Sequence, residues 1–149
     1  TRTIGRQILR HRSFHFQEFS GRYSEMDIDN LIYSETRLQD NKNRQNSIET
    51  DNEDLKNQWE LLQKSTAENA IATYKWALTN GIAKELARNI LPEGLTPSRL
   101  YMNGTLRDWF HYCQLRMKNG TQKEHQEIAK AIWNELVKKF PILTSFDID

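Results

Sequence analysis

The stretch RHRSFHFQEFSGRYS, residues 10–24, sets Arg10, Arg12, Arg22, His11 and His15 among Phe14, Phe16, Phe19 and Tyr23, with Glu18 as its one acid. A core strand has no use for the arginines, and a solvated charge run has none for the aromatics. Phe14 and Phe16 alternate with polar neighbours, which predicts a short extended segment. Gly21 predicts the turn that follows it. The stretch therefore reads as a strand and turn that carry fixed cations.

Upstream, Ile4, Ile8 and Leu9 have helical spacing and predict a short helix over 3–12. Gln7 and Arg10 are three apart and Arg6 and Arg10 four apart, so they share a face. That face is either a solvated basic surface or one side of an anion site, and spacing does not choose. Residues 1–23 hold Arg2, Arg6, Arg10, Arg12 and Arg22 and no lysine. Arginine offers a planar fork that matches phosphate, whereas lysine offers a point charge.

Downstream, residues 24–54 are polar and predict a long loop or lid. Helical patterning then begins. Leu55, Trp59, Leu62, Ala70, Tyr74, Ala77 and Leu78 predict one apolar face, stopped at Asn80-Gly81. IAKELARNILP predicts a second helix ended by Pro92, with Arg88 near its C-terminus, where the helix dipole favours a cation. GLTPSRLYMNG predicts a turn and a short extended segment. Thr105, with Asp108 three residues on, predicts the start of a third helix that stops at Asn119-Gly120. TQKE at 121–124 predicts a capping box for a last helix ended by Pro141.

On the third helix Leu106, Trp109, Phe110, Cys113 and Met117 form one stripe. Arg107 and His111 share one flank, and Arg116 falls on the other. Cys113 on the stripe reads as a small buried hydrophobe, and His125 reads as a surface residue. His11 and His15 lie four apart across a predicted helix break, so no metal site is expected.

The totals narrow the class. The 149 residues suit one domain. The fold class expected is α+β, mostly helical, with a small antiparallel sheet packed on helices. Net charge is +1, which does not suggest a nucleic-acid binder. No apolar run is long enough to span a bilayer, so no membrane association is expected. A single cysteine provides no internal disulfide and fits a reducing, cytoplasmic location. The start lacks the apolar segment of a signal peptide. It has the arginine-rich look of a transit peptide, but the aromatics that follow argue against its removal.

The opening stretch resembles the signature of the flavin-dependent thymidylate synthases, the ThyX family. That signature is Arg-His-Arg, seven residues, then Ser: here Arg10-His11-Arg12, SFHFQEF, Ser20. RQILRHR, RLQDNKNRQNS, ELARNILP, NGTLRDWFHYCQLR and NGTQKEHQEIAKAIW resemble further family segments in the family order. The resemblance covers essentially the whole chain and implies the thymidylate synthase-complementing fold. It also implies that this chain, residues 1–149, lacks the family's usual N-terminal portion with its sheet strands and a histidine-bearing flavin segment.

The activity implied is reductive methylation of dUMP to dTMP without a cysteine nucleophile. Methylenetetrahydrofolate would donate the carbon and NADPH-reduced FAD the hydride. By the same resemblance, Arg10, His11, Arg12 and Glu18 hold FAD, and Thr105, Leu106, Arg107 and His111 form a second FAD segment. His111 and Thr105 stand where some relatives carry asparagine. Gln7, Ile8, Leu9 and Arg10 line the dUMP site, as do Glu18, Phe19, Ser20, Gly21 and Arg22. Ser20 is the signature serine at the nucleotide, a positioning group. Arg88 reaches the nucleotide from a neighbouring subunit. Arg116 favours ionisation at N3 of uracil. The assembly implied is a homotetramer that shares its sites between subunits. Two other readings compete with this one: an arginine-rich, non-enzymatic module that binds RNA, and a helical interaction domain whose arginines are surface charges.

Overall fold

A computed structural model describes residues 1–146. In order, these form α1 (Arg2–Ile8), β1 (His15–Glu18), β2 (Arg37–Gln39), β3 (Ser47–Glu49), α2 (Glu53–Thr79), α3 (Lys84–Ala87), β4 (Leu100–Asn103), α4 (Leu106–Arg116) and α5 (Lys123–Lys139). A 3₁₀ turn, Arg88–Ile90, continues α3, and another, Pro141–Ser145, follows α5. Two small sheets accompany the helices: β1 pairs with β4, and β2 pairs antiparallel with β3. The mostly helical α+β expectation holds.

The chain divides into two compact units. The first comprises Thr1–Arg10, Phe16–Thr36 and Thr50–Tyr101, the second His11–His15, Arg37–Glu49 and Met102–Asp149.

The core of the first unit joins Met26, Ala70, Tyr74, Ala77, Ala87 and Leu91, with Ile28 and Leu78 packed on it. Small residues on α2 let α3 approach closely, and the Tyr74 hydroxyl accepts the buried Met26 N–H at 3.0 Å. The apolar face predicted for α2 is buried only in its C-terminal part. Trp59 and Leu62 remain 42% and 62% exposed, because no element of this unit covers the first turns of the helix. The polar Gln63 is buried instead. Its amide satisfies both backbone groups of Ser34, at 2.8 and 3.0 Å, so burying it leaves no orphaned polar group. The Asn80-Gly81 stop is as predicted: Asn80 caps α2 and Gly81 adopts φ +75°, a region glycine enters without steric cost.

In the second unit α4 packs on α5 where Cys113 and Ala129, both fully buried, let the backbones meet. The Cys113 thiol donates to the Ala129 carbonyl at 3.6 Å. Phe14 packs edge-on against Trp109 at 4.8 Å. In the first unit α1 ends at Ile8, with Leu9 as its C-cap, rather than running to residue 12. Thr105 starts α4 as expected, and with Asp108 it forms a capping box.

Three further expectations need correction. The polar stretch 24–54 is not wholly loop, since β2 and β3 form a hairpin within it, with Leu38 opposite Ile48. No side chain caps α5, whose N-cap is Gln122. Glu124, the expected capping acid, pairs with Arg37 instead. His125 is fully buried rather than on the surface, because it lies on the face of α5 that meets Tyr112.

Candidate functional site

In the first unit α1 buries Ile4 and Ile8, leaves Arg6 exposed and holds the Arg2 side chain mostly buried, at 20% exposure. Arg2 pairs with Glu18 of β1 at 3.6 Å, and Arg6 donates to Glu93 at 2.5 Å. With Arg88, these two arginines line a cavity of about 220 Å³ that Glu93 and Thr96 also border. A second cavity of about 310 Å³ lies beside Phe19, Met26 and Ser98. Glu18 is further held by the Ser98 hydroxyl, which donates to it at 2.8 Å.

The turn after β1 is compact. The Arg22 N–H donates to the Ser20 hydroxyl at 3.3 Å. The Arg22 guanidinium meets the Glu85 carboxylate at 3.1 Å, while Arg88 Nε donates to the Glu85 carbonyl at 3.4 Å. Gly21 is buried beneath Met26 and Arg88. A Cβ there would overlap the Met26 sulfur and lie 3.3 Å from Arg88 Cδ. The close approach explains the glycine and places Arg88 beside the Ser20–Gly21–Arg22 turn of its own chain.

The second unit holds a different constellation. Arg116 Nε donates to His11 Nε2 at 2.8 Å. The His11 ring lies edge-on to Tyr112, centroids 4.8 Å apart, and the Tyr112 hydroxyl meets His125 Nε2 at 3.0 Å. Burial and the Arg116 charge both hold His11 below its ordinary pKa. Burial, then the charges of Arg116 and His11, push His125 down to about 4. Both imidazoles are therefore neutral at pH 7. Burial pushes Tyr112 upward and Cys113 up to about 12, so neither ionises near neutrality. Hydrogen bonds from the Thr105 hydroxyl and N–H, with the His111 and Arg107 charges, hold Asp108 below its usual range.

The sequence-predicted residues fall into two groups. Gln7, Ile8, Leu9, Arg10, Glu18, Phe19, Ser20, Gly21, Arg22 and Arg88 lie in the first unit. His11, Arg12, Thr105, Leu106, Arg107, His111 and Arg116 lie in the second. Ile8 and Gly21 are buried, while Arg10, Arg12, Arg107 and His111 are exposed. Arg107 and His111 share a flank of α4. The Thr105 hydroxyl is engaged in the cap, donating to Asp108 at 2.6 Å. Residues that local reading missed are Glu85, Ser98, Tyr112 and His125. Each acts through a partner on another element, and the stripe read on α4 did not include Tyr112. Among the described residues, no group of three or more His, Cys, Asp or Glu side chains could hold a metal ion. No helix among them is long and apolar enough to cross a membrane.

The model of the family described as thymidylate synthase complementing protein matches residues 1–142. The chain belongs to this family. A probable flavin-dependent thymidylate synthase of Paramecium bursaria Chlorella virus 1 is 48% identical over 141 residues, covering 95% of this chain and 64% of that protein. A flavin-dependent thymidylate synthase of Synechocystis is 48% identical over 145 residues, covering 97% and 66%. The crystal structure of a UMP/dUMP methylase, PolB, of Streptomyces cacaoi with bound 5-Br UMP matches with a TM-score of 0.78 and 25% identity. It covers 95% of this chain and 66% of that one. The chain thus spans just under two thirds of the length of these proteins.

Proposed function

We propose that the chain acts as a flavin-dependent thymidylate synthase, methylating dUMP reductively to dTMP. The observation that carries the reading is the Arg116–His11 hydrogen bond. It joins the His of the Arg10-His11-Arg12…Ser20 signature to an arginine on the second flank of α4. A half-buried guanidinium placed in this way can stabilise negative charge on a pyrimidine ring, which raises the nucleophilicity of C5. Cys113 is fully buried, and its thiol is pushed up to about 12. It makes a poor nucleophile, which agrees with a route that needs no cysteine.

The donor set fits a flavin dinucleotide. Arg10, Arg12, Arg107 and His111 are exposed, and guanidinium forks suit a diphosphate. These four, with His11, Glu18, Thr105 and Leu106, would hold FAD. Reduced FAD would supply the hydride, with NADPH as its reductant and methylenetetrahydrofolate as the carbon donor. Gln7, Ile8, Leu9, Arg10 and the segment Glu18, Phe19, Ser20, Gly21, Arg22 would orient dUMP, and Ser20 positions rather than attacks. Arg88 would reach the nucleotide of a neighbouring copy. Exposed Leu61, Leu62 and Trp76 on α2, at 67%, 62% and 61%, support assembly into a homotetramer that covers them. A cytoplasmic location belongs to the same reading.

An RNA-binding module is disfavoured because Arg2, Arg6, Arg22 and Arg37 are each paired with a glutamate of the chain. The deciding experiment combines the visible spectrum with dTMP formation from dUMP, methylenetetrahydrofolate, FAD and NADPH. Yellow protein and turnover are expected. Arg116→Ala should lose turnover by about a hundredfold or more while retaining flavin. Colourless protein that neither binds added FAD nor forms dTMP overturns the proposal, as does wild-type turnover in Arg116→Ala.

A further inference from the structure

A guanidinium keeps its protons under all conditions a protein meets, and its Nε can only donate. The contact between Arg116 Nε and His11 Nε2, at 2.8 Å, therefore requires a lone pair on Nε2. The one ring proton of His11 then sits on Nδ1. The ring cannot rotate out of this arrangement easily, because Tyr112 meets it edge-on at 4.8 Å and Phe14 at 6.4 Å. Tyr112 is itself fixed through its hydroxyl by the buried His125.

We infer that His11 is a positioning residue for Arg116: its neutral, Nδ1-protonated ring holds the guanidinium in place, and its protonation releases it. The inference rests on the proposed nucleotide site insofar as Arg116 meets the pyrimidine. The titratable and charged groups facing His11 are Arg116 and Tyr112 of α4 and His125 of α5, whose ring lies 6.3 Å away. None is an anion at neutral pH, so none favours the imidazolium. Protonation would occupy Nε2, remove the acceptor and set a second cation against Arg116. Burial and the Arg116 charge oppose it, so His11 protonates only below its ordinary 6.5. Within the signature, His11 thus serves Arg116, 105 residues away, as well as any flavin contact. The pyrimidine site is expected to weaken as His11 gains its proton.

Two measurements on the chain test this. In the first, histidine is labelled with ¹⁵N and followed by long-range ¹H–¹⁵N correlation through a pH titration. His11 is assigned by the loss of its signals in His11→Gln. The expected result is an Nδ1–H tautomer at pH 7.5 and a midpoint below 6.5. In Arg116→Ala the midpoint should rise and the tautomer preference should be lost. An Nε2–H tautomer in the wild type overturns the inference. So does an Arg116→Ala spectrum that leaves both tautomer and midpoint unchanged.

The second measures dUMP affinity by calorimetry at pH 8 and pH 5 in the wild type and His11→Gln. The glutamine amide can still accept from Arg116 but does not titrate in this range. The loss of affinity on acidification should be about tenfold greater in the wild type, the effect of one hydrogen bond to a charged group. Protonation of the nucleotide phosphate is common to both proteins and cancels. Equal losses overturn the positioning role. A chain that shows the Nδ1–H tautomer but binds no dUMP at pH 8 defeats the nucleotide reading and leaves the imidazole–guanidinium contact standing.

Discussion

Acidification should destabilise this protein through His125. The ring is fully buried against Tyr112, in the field of Arg116 and His11. In the unfolded chain it titrates near 6.5, in the native protein at about 4. Between those values the unfolded state binds a proton that the native state refuses. Stability is therefore undiminished above about pH 6.5, falls as pH drops through the window, and loses nothing further from this group below about 4. The difference between 6.5 and about 4, at about 1.4 kcal/mol per pH unit, amounts to about 3–4 kcal/mol, of which about 3 kcal/mol is lost by pH 4. That is a large part of the 5–15 kcal/mol or so that holds a typical domain together. Urea unfolding followed by circular dichroism at pH 7.5 and pH 4, at fixed protein concentration, measures the loss. Carboxylates and His11 contribute their own pH dependence, so the comparison is with His125→Gln. The amide can still meet the Tyr112 hydroxyl and takes up no proton. The wild type should lose about 3 kcal/mol more than the variant over this range. Equal losses in the two proteins would refute the claim that His125 is held neutral by burial.

Other outcomes follow from single contacts. Gly104→Ala would place a Cβ 2.6 Å from the Phe14 ring, which is buried. Overpacking should cost about 1–3 kcal/mol, and an unchanged melting temperature would contradict it. Arg37→Ala should cost about 3 kcal/mol by stranding Glu124, since the two side chains are only 10% and 32% exposed. Arg37 Nη1 and Glu124 Oε2 are buried without hydrogen-bond partners. The double variant Arg37→Met with Glu124→Leu should therefore recover most of the loss. A double variant no more stable than Arg37→Ala in thermal melts would show that the charge is not the reason. Cys113, with its thiol pushed up to about 12, should resist a disulfide reagent at pH 8 until the protein is unfolded by urea. Prompt labelling of the native protein would disprove its burial.

The parts legible in the sequence were those whose cause lies within a few residues. Gly81 adopts the positive φ that ends α2, and Thr105 with Asp108 starts α4. α4 itself ends at Arg116, ahead of the predicted Asn119-Gly120 stop, and Gly120 takes its positive φ in the turn beyond. Phe14 buried and His15 exposed reproduce the alternation that predicted a strand. The signature from Arg10 to Ser20 was likewise visible as a string, and it led to the family. Failures occurred where a residue's partner is remote. TQKE has the pattern of a capping box, but Glu124 is engaged with Arg37, 87 positions away. Nothing near His125 in sequence announces that its ring faces Tyr112.

What the sequence determined by itself was therefore the order of the main helices, part of their punctuation and the family, while the β2–β3 hairpin went unread. Only the tertiary structure decided which cations are neutralised and which are held for use: Arg2 by Glu18, Arg22 by Glu85, Arg116 by an uncharged His11. The reason is physical. Caps and periodicity depend on hydrogen bonds and side-chain directions within one or two turns, whereas the charge state of a buried ring depends on what packing brings against it.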